Sequence, residues 1–118
     1  MQRDWEIIRK ILLKIEALPT EDSTFTSNDL ENVDSANVAY QMRLMLDAKL
    51  IEGSCRDAIG APFCHAFRMT WDGHEFLDSV RNDTVWNELK KQAKTKTIDL
   101  PIGIILTLAK ELMTRFVL

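Results

Sequence analysis

Apolar residues recur at helical spacing at the start of the chain. Trp5, Ile8, Leu12 and Ile15 stand three and four apart, Ile7 and Ile11 widen the stripe, and Arg9, Lys10, Lys14 and Glu16 lie off it, which predicts an amphipathic helix over 4–18. Pro19 ends it, because the residue before a proline is pushed out of the helical region. From Thr20 to Asp34 the chain is polar, with Phe25, Leu30 and Val33 as anchors, and a short helix is expected near Asn28 to Glu31. Asp34 or Ser35 can cap a second long helix, in which Val38, Met42 and Met45 form the stripe with Leu46 beside them. That helix should run to Ala48.

The period then changes. Leu50 to Cys55 and Cys64 to Thr70 read as two strands around a turn containing Gly60 and Pro62. Thr70 can cap a further helix with Trp71, Phe76, Leu77 and Val80 as its apolar residues, Asn82 and Asp83 break it, and a Lys-rich helix with Val85, Trp86 and Leu89 follows. A last helix is predicted from near Asp99 with Pro101 in its first turn, placing Ile102, Ile105, Leu106, Ala109, Leu112, Met113 and Phe116 on one stripe.

Helix, short helix, helix, hairpin and helix is the order of a winged helix-turn-helix domain. The expected fold is therefore mostly α, of α+β class, with a two-stranded β-hairpin wing and two extra C-terminal helices. Residues 1–80 form the winged-helix part, and 81–118 a helical extension packed on it as one structural domain. The segment from Val38 to Gly53 resembles a recognition helix that ends in a Leu-Xaa-Xaa-Ala-Gly-Leu-Ile turn and feeds the first wing strand. Lys49 stands where that pattern has glycine, and a lysine is sterically less easy there if the position is left-handed, which weighs against the tight turn.

A broader likeness rests on Arg3-Asp4, Ile8 to Leu12, Tyr40 to Met45, Leu50 to Gly53, Thr70 to Asp78 and Asp83 to Trp86. Together these resemble the domain-of-unknown-function family number 2513, found in bacteria, phages and prophages, over almost the whole chain. Its most specific part is Thr70-Trp71-Asp72-Gly73-His74-Glu75-Phe76-Leu77-Asp78; Met69 and Gln41 stand where the family more often has Leu and His. The resemblance implies a mobile-element context and brings no catalytic residues with it.

Composition narrows the function classes. With 118 residues, 46% of them hydrophobic, a core can form without metal or disulfide support, and Cys55 and Cys64 are too few to staple a secreted domain. No signal peptide opens the sequence, so a cytoplasmic location is expected. The uncharged run from Leu100 to Ala109 is half the length a spanning helix needs, and no membrane association is expected. Charge is uneven: Met1 to Val33 and Asp34 to Val80 each carry four basic and seven acidic residues, whereas Arg81 to Leu118 carries seven basic and four acidic, with Lys90, Lys91, Lys94 and Lys96 clustered. An overall charge of −3 excludes a strong nonspecific nucleic-acid binder, so any DNA contact must be local.

The polar face of the second long helix offers it: Ser35, Asn37, Tyr40, Gln41 and Arg43 are residue types that pair with base edges or phosphates. Arg56 and Arg68 in the wing could meet flanking phosphates, with cross-strand ion pairing the competing use. Ile102, Ile105, Leu106, Leu112, Met113 and Phe116 could close a homodimer or hold a host or defence protein; the competing use is packing on Trp5, Ile8 and Leu12. Cys55, Cys64, His65 and His74 lack the close ligand pairs of a zinc site, and the cysteines are expected to pack as small hydrophobes, with His74 capping or packing near Trp71. Cys64 and His65 are strand neighbours that point to opposite faces, and no phosphate loop or hydrolase motif occurs. A noncatalytic protein without cofactor or metal is expected, binding double-stranded DNA as a regulator or, alternatively, binding or inhibiting a host or defence protein through its acidic surface or its apolar last helix.

Overall fold

Asp4 starts the first helix by accepting from the backbone N–H groups of Glu6 (2.9 Å) and Ile7 (3.3 Å) with one carboxylate oxygen, so two of the unpaired donors of the first turn are satisfied. The computed structural model describes residues 1–58, 60–93 and 100–116. Over these, the elements in chain order are α1 (Trp5–Glu16), β1 (Phe25–Thr26), α2 (Ser35–Asp47), β2 (Ile51–Ala58), β3 (Ala61–Met69), α3 (Trp71–Val80), α4 (Asp83–Ala93) and α5 (Ile102–Phe116). The class is α+β and mostly helical, with a three-stranded antiparallel sheet.

That sheet has the order β1-β3-β2, so the expected hairpin gains a third strand: Phe25 and Thr26 pair with Ala66 and His65. The short helix expected near Asn28 to Glu31 is instead a series of turns. Asp29 closes the first by accepting from the Thr26 N–H at 2.8 Å and donating its own N–H to the Thr26 carbonyl at 3.0 Å, and Asn32 at φ 64° breaks any helical run. A side chain that bonds the backbone locally competes with helix, and here it wins.

In the hairpin, Cys55 lies directly opposite Cys64. The Cys64 backbone N–H and C=O both turn the other way, to Ser27, so the two cysteines form the close, non-hydrogen-bonded kind of pair, with Cα atoms 4.0 Å apart. They are joined as a disulfide, which corrects the expectation of two separate small hydrophobes. Between Glu52 and Gly53 the register shifts, leaving Phe67 as the extra residue on β3. Glycine is required there: a Cβ on residue 53 would sit 2.1 Å from the His65 carbonyl oxygen.

The core joins every helix to the sheet. Ile8, Ile11 and Leu12 of α1, Val38, Met42 and Met45 of α2, Cys64 and Ala66 of β3, and Phe76, Leu77 and Val80 of α3 are buried together with Val85, Trp86, Leu89, Ile105, Ala109 and Leu112. The last helix packs on α3 and α4; the link from this end of the chain to α1 is the Leu100 carbonyl, which accepts from Trp5 Nε1 (3.0 Å) and Arg3 Nη2 (3.1 Å). The predicted start of that helix near Asp99, together with Lys94, Lys96, Val117 and Leu118, lies outside the described residues.

Candidate nucleic-acid interface

The C-terminal end of α2 is built for a sharp exit. Lys49 adopts φ 60°, so the left-handed exit forms despite the side chain that makes it sterically less easy, and it hands the chain to β2. Thr70 closes the same corner from the other side: its N–H donates to the Leu50 carbonyl at 3.0 Å, its hydroxyl donates to the Lys49 carbonyl at 2.6 Å, and the same oxygen accepts from the Gly73 N–H at 3.0 Å. Gly73 completes it, since a Cβ there would meet the Leu50 carbonyl oxygen at 2.1 Å. The Thr-Trp-Asp-Gly-His segment is therefore largely a joint between α2, the hairpin and α3.

This joint sets the hairpin beside the outer face of α2. Arg43, on α2, reaches Asp57 near the hairpin tip at 3.1 Å, so the helix face and the wing-like hairpin share one continuous surface. Ser35 and Arg43 on that surface are exposed, and Asn37 and Tyr40 are half-buried. Gln41 does not belong to it. Its side chain is fully buried, with Oε1 accepting from the Asp4 N–H (2.9 Å) and Nε2 donating to the Gln2 carbonyl (2.9 Å) and to Asn37 Oδ1 (3.0 Å). A base edge cannot reach it, and Asn37 already spends its oxygen on it.

The two hairpin arginines differ. Arg68 makes a two-pronged cross-strand bridge to Glu52, at 2.9 and 2.7 Å, the pairing weighed against DNA contact in the sequence; both partners are exposed, and such a pair contributes little to stability. Arg56 lies over the Phe63 ring, 5.3 Å from its centroid, and among the described residues it has no carboxylate partner.

The proposed partner stripe on α5 is largely consumed inside the chain. Ile105 and Leu112 are core residues and so unavailable to a partner, whereas Ile102, Leu106 and Met113 are half-buried and Phe116 is 46% exposed. Among the described residues no group of three His, Cys, Asp or Glu side chains is placed to hold a metal ion, and Cys55 and Cys64 are joined to each other. His74 is exposed at the start of α3, beside the Ile15–Glu16 end of α1.

Three features went unread in the sequence. Trp71, assigned to the apolar side of α3, is 78% exposed. Arg9, assigned to the solvent side of α1, is buried: Nε donates to the Val80 carbonyl (2.8 Å), Nη2 to the Arg81 carbonyl and Asp83 Oδ1 (both 2.7 Å), and the guanidinium lies 5.3 Å from the Trp86 ring centroid. The third is a row of rings on β3, Phe63, His65 and Phe67. Its signal was present as alternation, because the small residues Cys64 and Ala66 face the core and the rings between them face out.

These features define a mixed α+β protein whose second helix and hairpin share a polar surface. The chain belongs to the family described as hypothetical protein (DUF2513), whose model matches residues 2–99. It is 36% identical over 115 residues to an uncharacterized protein of Haemophilus influenzae, covering 98% of each chain. No solved structure matches it.

Proposed function

We propose that this is a noncatalytic winged-helix protein of phage or prophage type that binds double-stranded DNA as a regulator in the cytoplasm. In that reading α2 is the recognition helix, β2 and β3 are the wing, and β1 is the short strand that anchors the wing. The observation that supports it most is the 3.1 Å Arg43–Asp57 contact, in which the exposed helix face and the hairpin lie side by side as a reader of one groove and its flanking backbone would need. Ser35, Asn37, Tyr40 and Arg43 supply hydrogen-bonding groups on the helix, and Arg56 and Arg68 supply charge on the wing. No helix among the described residues is long and apolar enough to cross a membrane.

Sequencing of genomic fragments retained by the purified protein tests the reading. A discrete motif should be enriched, and with three arginines meeting phosphates its affinity should fall about 40-fold between 50 and 200 mM salt. The double substitution Asn37→Ala with Arg43→Ala should weaken binding at least about tenfold with folding intact. Absence of any enriched motif overturns it.

A second reading, a module that binds or inhibits a host or defence protein, draws support from Trp71 together with the exposed acidic residues Asp72 and Glu75 on the same helix. A stoichiometric protein partner lost on Trp71→Ala, without DNA enrichment, would establish it.

A further inference from the structure

The outer face of the sheet carries a row of rings that the helix–hairpin surface does not use, and it shares Arg56 with the wing of the duplex reading. Phe63, His65 and Phe67 run along β3, the central strand, with ring centroids 6.3 Å apart for the first pair and 4.9 Å for the second. Phe67 is 48% exposed, an unusual place for a phenylalanine: it continues the outward alternation of Phe63 and His65, and the register shift beside Gly53 leaves it without a cross-strand partner. Arg56, the cross-strand neighbour of Phe63, covers one end of the row. Thr26 and Ser54 flank His65 on either side, with the Ser54 hydroxyl 3.2 Å from His65 Nε2, so hydrogen-bonding groups border the rings.

Charge varies along this face: Glu16 and Glu21 lie near the Phe67 end, and Arg56 lies at the Phe63 end. Glu52, the carboxylate that β2 presents beside the rings, is neutralised by Arg68, and Asp57, at a strand position of opposite facing to Arg56, is held by Arg43. Among the described residues Arg56 has no carboxylate partner, and it is already stacked on an aromatic ring at the end of the row away from Glu21. The rings are tilted to one another by 43° and 58°, so each offers its own stacking site, and with hydroxyls at the edge and a guanidinium at the end the row suits unpaired nucleobases joined by a flexible phosphate chain.

We propose that the Phe63–His65–Phe67 row is a stacking surface for single-stranded nucleic acid, separate from the duplex-binding surface of α2. Bases stack on the rings, and Arg56 meets a phosphate. Stacking is sequence-tolerant, so affinity here should depend on strand state more than on sequence.

The test uses the full chain and two fluorescein-labelled probes, a twelve-nucleotide deoxythymidine oligomer and a duplex carrying an enriched genomic fragment, followed by anisotropy at about 50 mM salt. The oligomer should bind. Phe63→Ala and Phe67→Ala should each weaken it about tenfold, and Arg56→Gln should weaken it and flatten its salt dependence by about one phosphate contact. Phe67 and Arg56 are exposed, so their variants should melt as the parent does and keep the test valid if Phe63→Ala fails to fold. Oligomer binding that survives Asn37→Ala with Arg43→Ala supports the inference whatever becomes of the duplex reading. No oligomer binding, or binding unchanged in both Phe67→Ala and Arg56→Gln, overturns it, as does capture of a protein by this face without oligomer binding.

Discussion

The side-chain oxygen of Gln41 accepts the backbone N–H of Asp4 at 2.9 Å, tying the middle of α2 to the cap of α1. Gln41 is thereby a structural residue. Gln41→Ala leaves the Asp4 amide and the Gln2 carbonyl without their partner and opens a cavity, so stability should fall by about 2–3 kcal/mol. Thermal unfolding followed by circular dichroism should show a midpoint lower by roughly 10 °C. Duplex binding by the fraction still folded should be unchanged, which separates this role from base contact.

Lys49 holds a left-handed conformation that costs a side-chain-bearing residue about 1 kcal/mol or more and glycine very little. Lys49→Gly should stabilise the protein by about 0.5–1 kcal/mol, after the entropy glycine gains in the unfolded chain is allowed for. Urea denaturation should show a higher midpoint with an unchanged slope.

Glu16 is held below the ordinary glutamate value of 4.5 chiefly by the hydrogen bonds it accepts from Arg81, with burial opposing and the Arg81 charge assisting. A carboxyl depressed in the folded state stabilises above its unfolded value, and that contribution is lost as pH falls through the folded value. Unfolding free energy should therefore decline as pH is lowered from about 5 toward 3. Arg81→Gln should make that decline shallower, and an unaltered acid limb in the variant would show that the pair does not contribute. Glu6 is also lowered, although burial, its largest influence, pushes upward; hydrogen bonds from Trp86 and Lys90 outweigh it.

The Cys55–Cys64 crosslink closes a loop across a sequence separation of 9. A loop that short restrains the unfolded chain by about 2.5 kcal/mol. Under denaturing conditions without reductant, iodoacetamide should label neither cysteine, and after reduction both. The reduced protein should melt roughly 10 °C lower. Labelling of both thiols before reduction would show that the bond does not form in the purified protein.

What the sequence made legible was what depends on local periodicity and capping. The Trp5–Ile8–Leu12–Ile15 stripe is buried along α1, and Thr70 caps α3 through Gly73. What escaped was polar burial and pairing between distant segments. A helical wheel puts Arg9 in solvent, but its long side chain reaches back to carbonyls that only the α3–α4 junction supplies. Gln41 likewise reads as a DNA-facing amide until the backbone of Gln2 and Asp4 arrives beside it. A two-residue strand such as β1 carries no period at all, and its partner is nearly forty positions away. The disulfide needed register: only with the turn closed between Ala58 and Ala61 do Cys55 and Cys64 stand opposite.

The reach of Arg9 and Trp5 also orders events during synthesis. The carbonyls that Arg9 engages belong to residues 80 and 81, and the one that Trp5 engages belongs to residue 100. The first helix to leave the ribosome thus waits for nearly the last part of the chain before its guanidinium and indole find their acceptors. Until then a nascent chain ending at Val80 carries α1 with its guanidinium in water, and its indole lacks the carbonyl acceptor at residue 100.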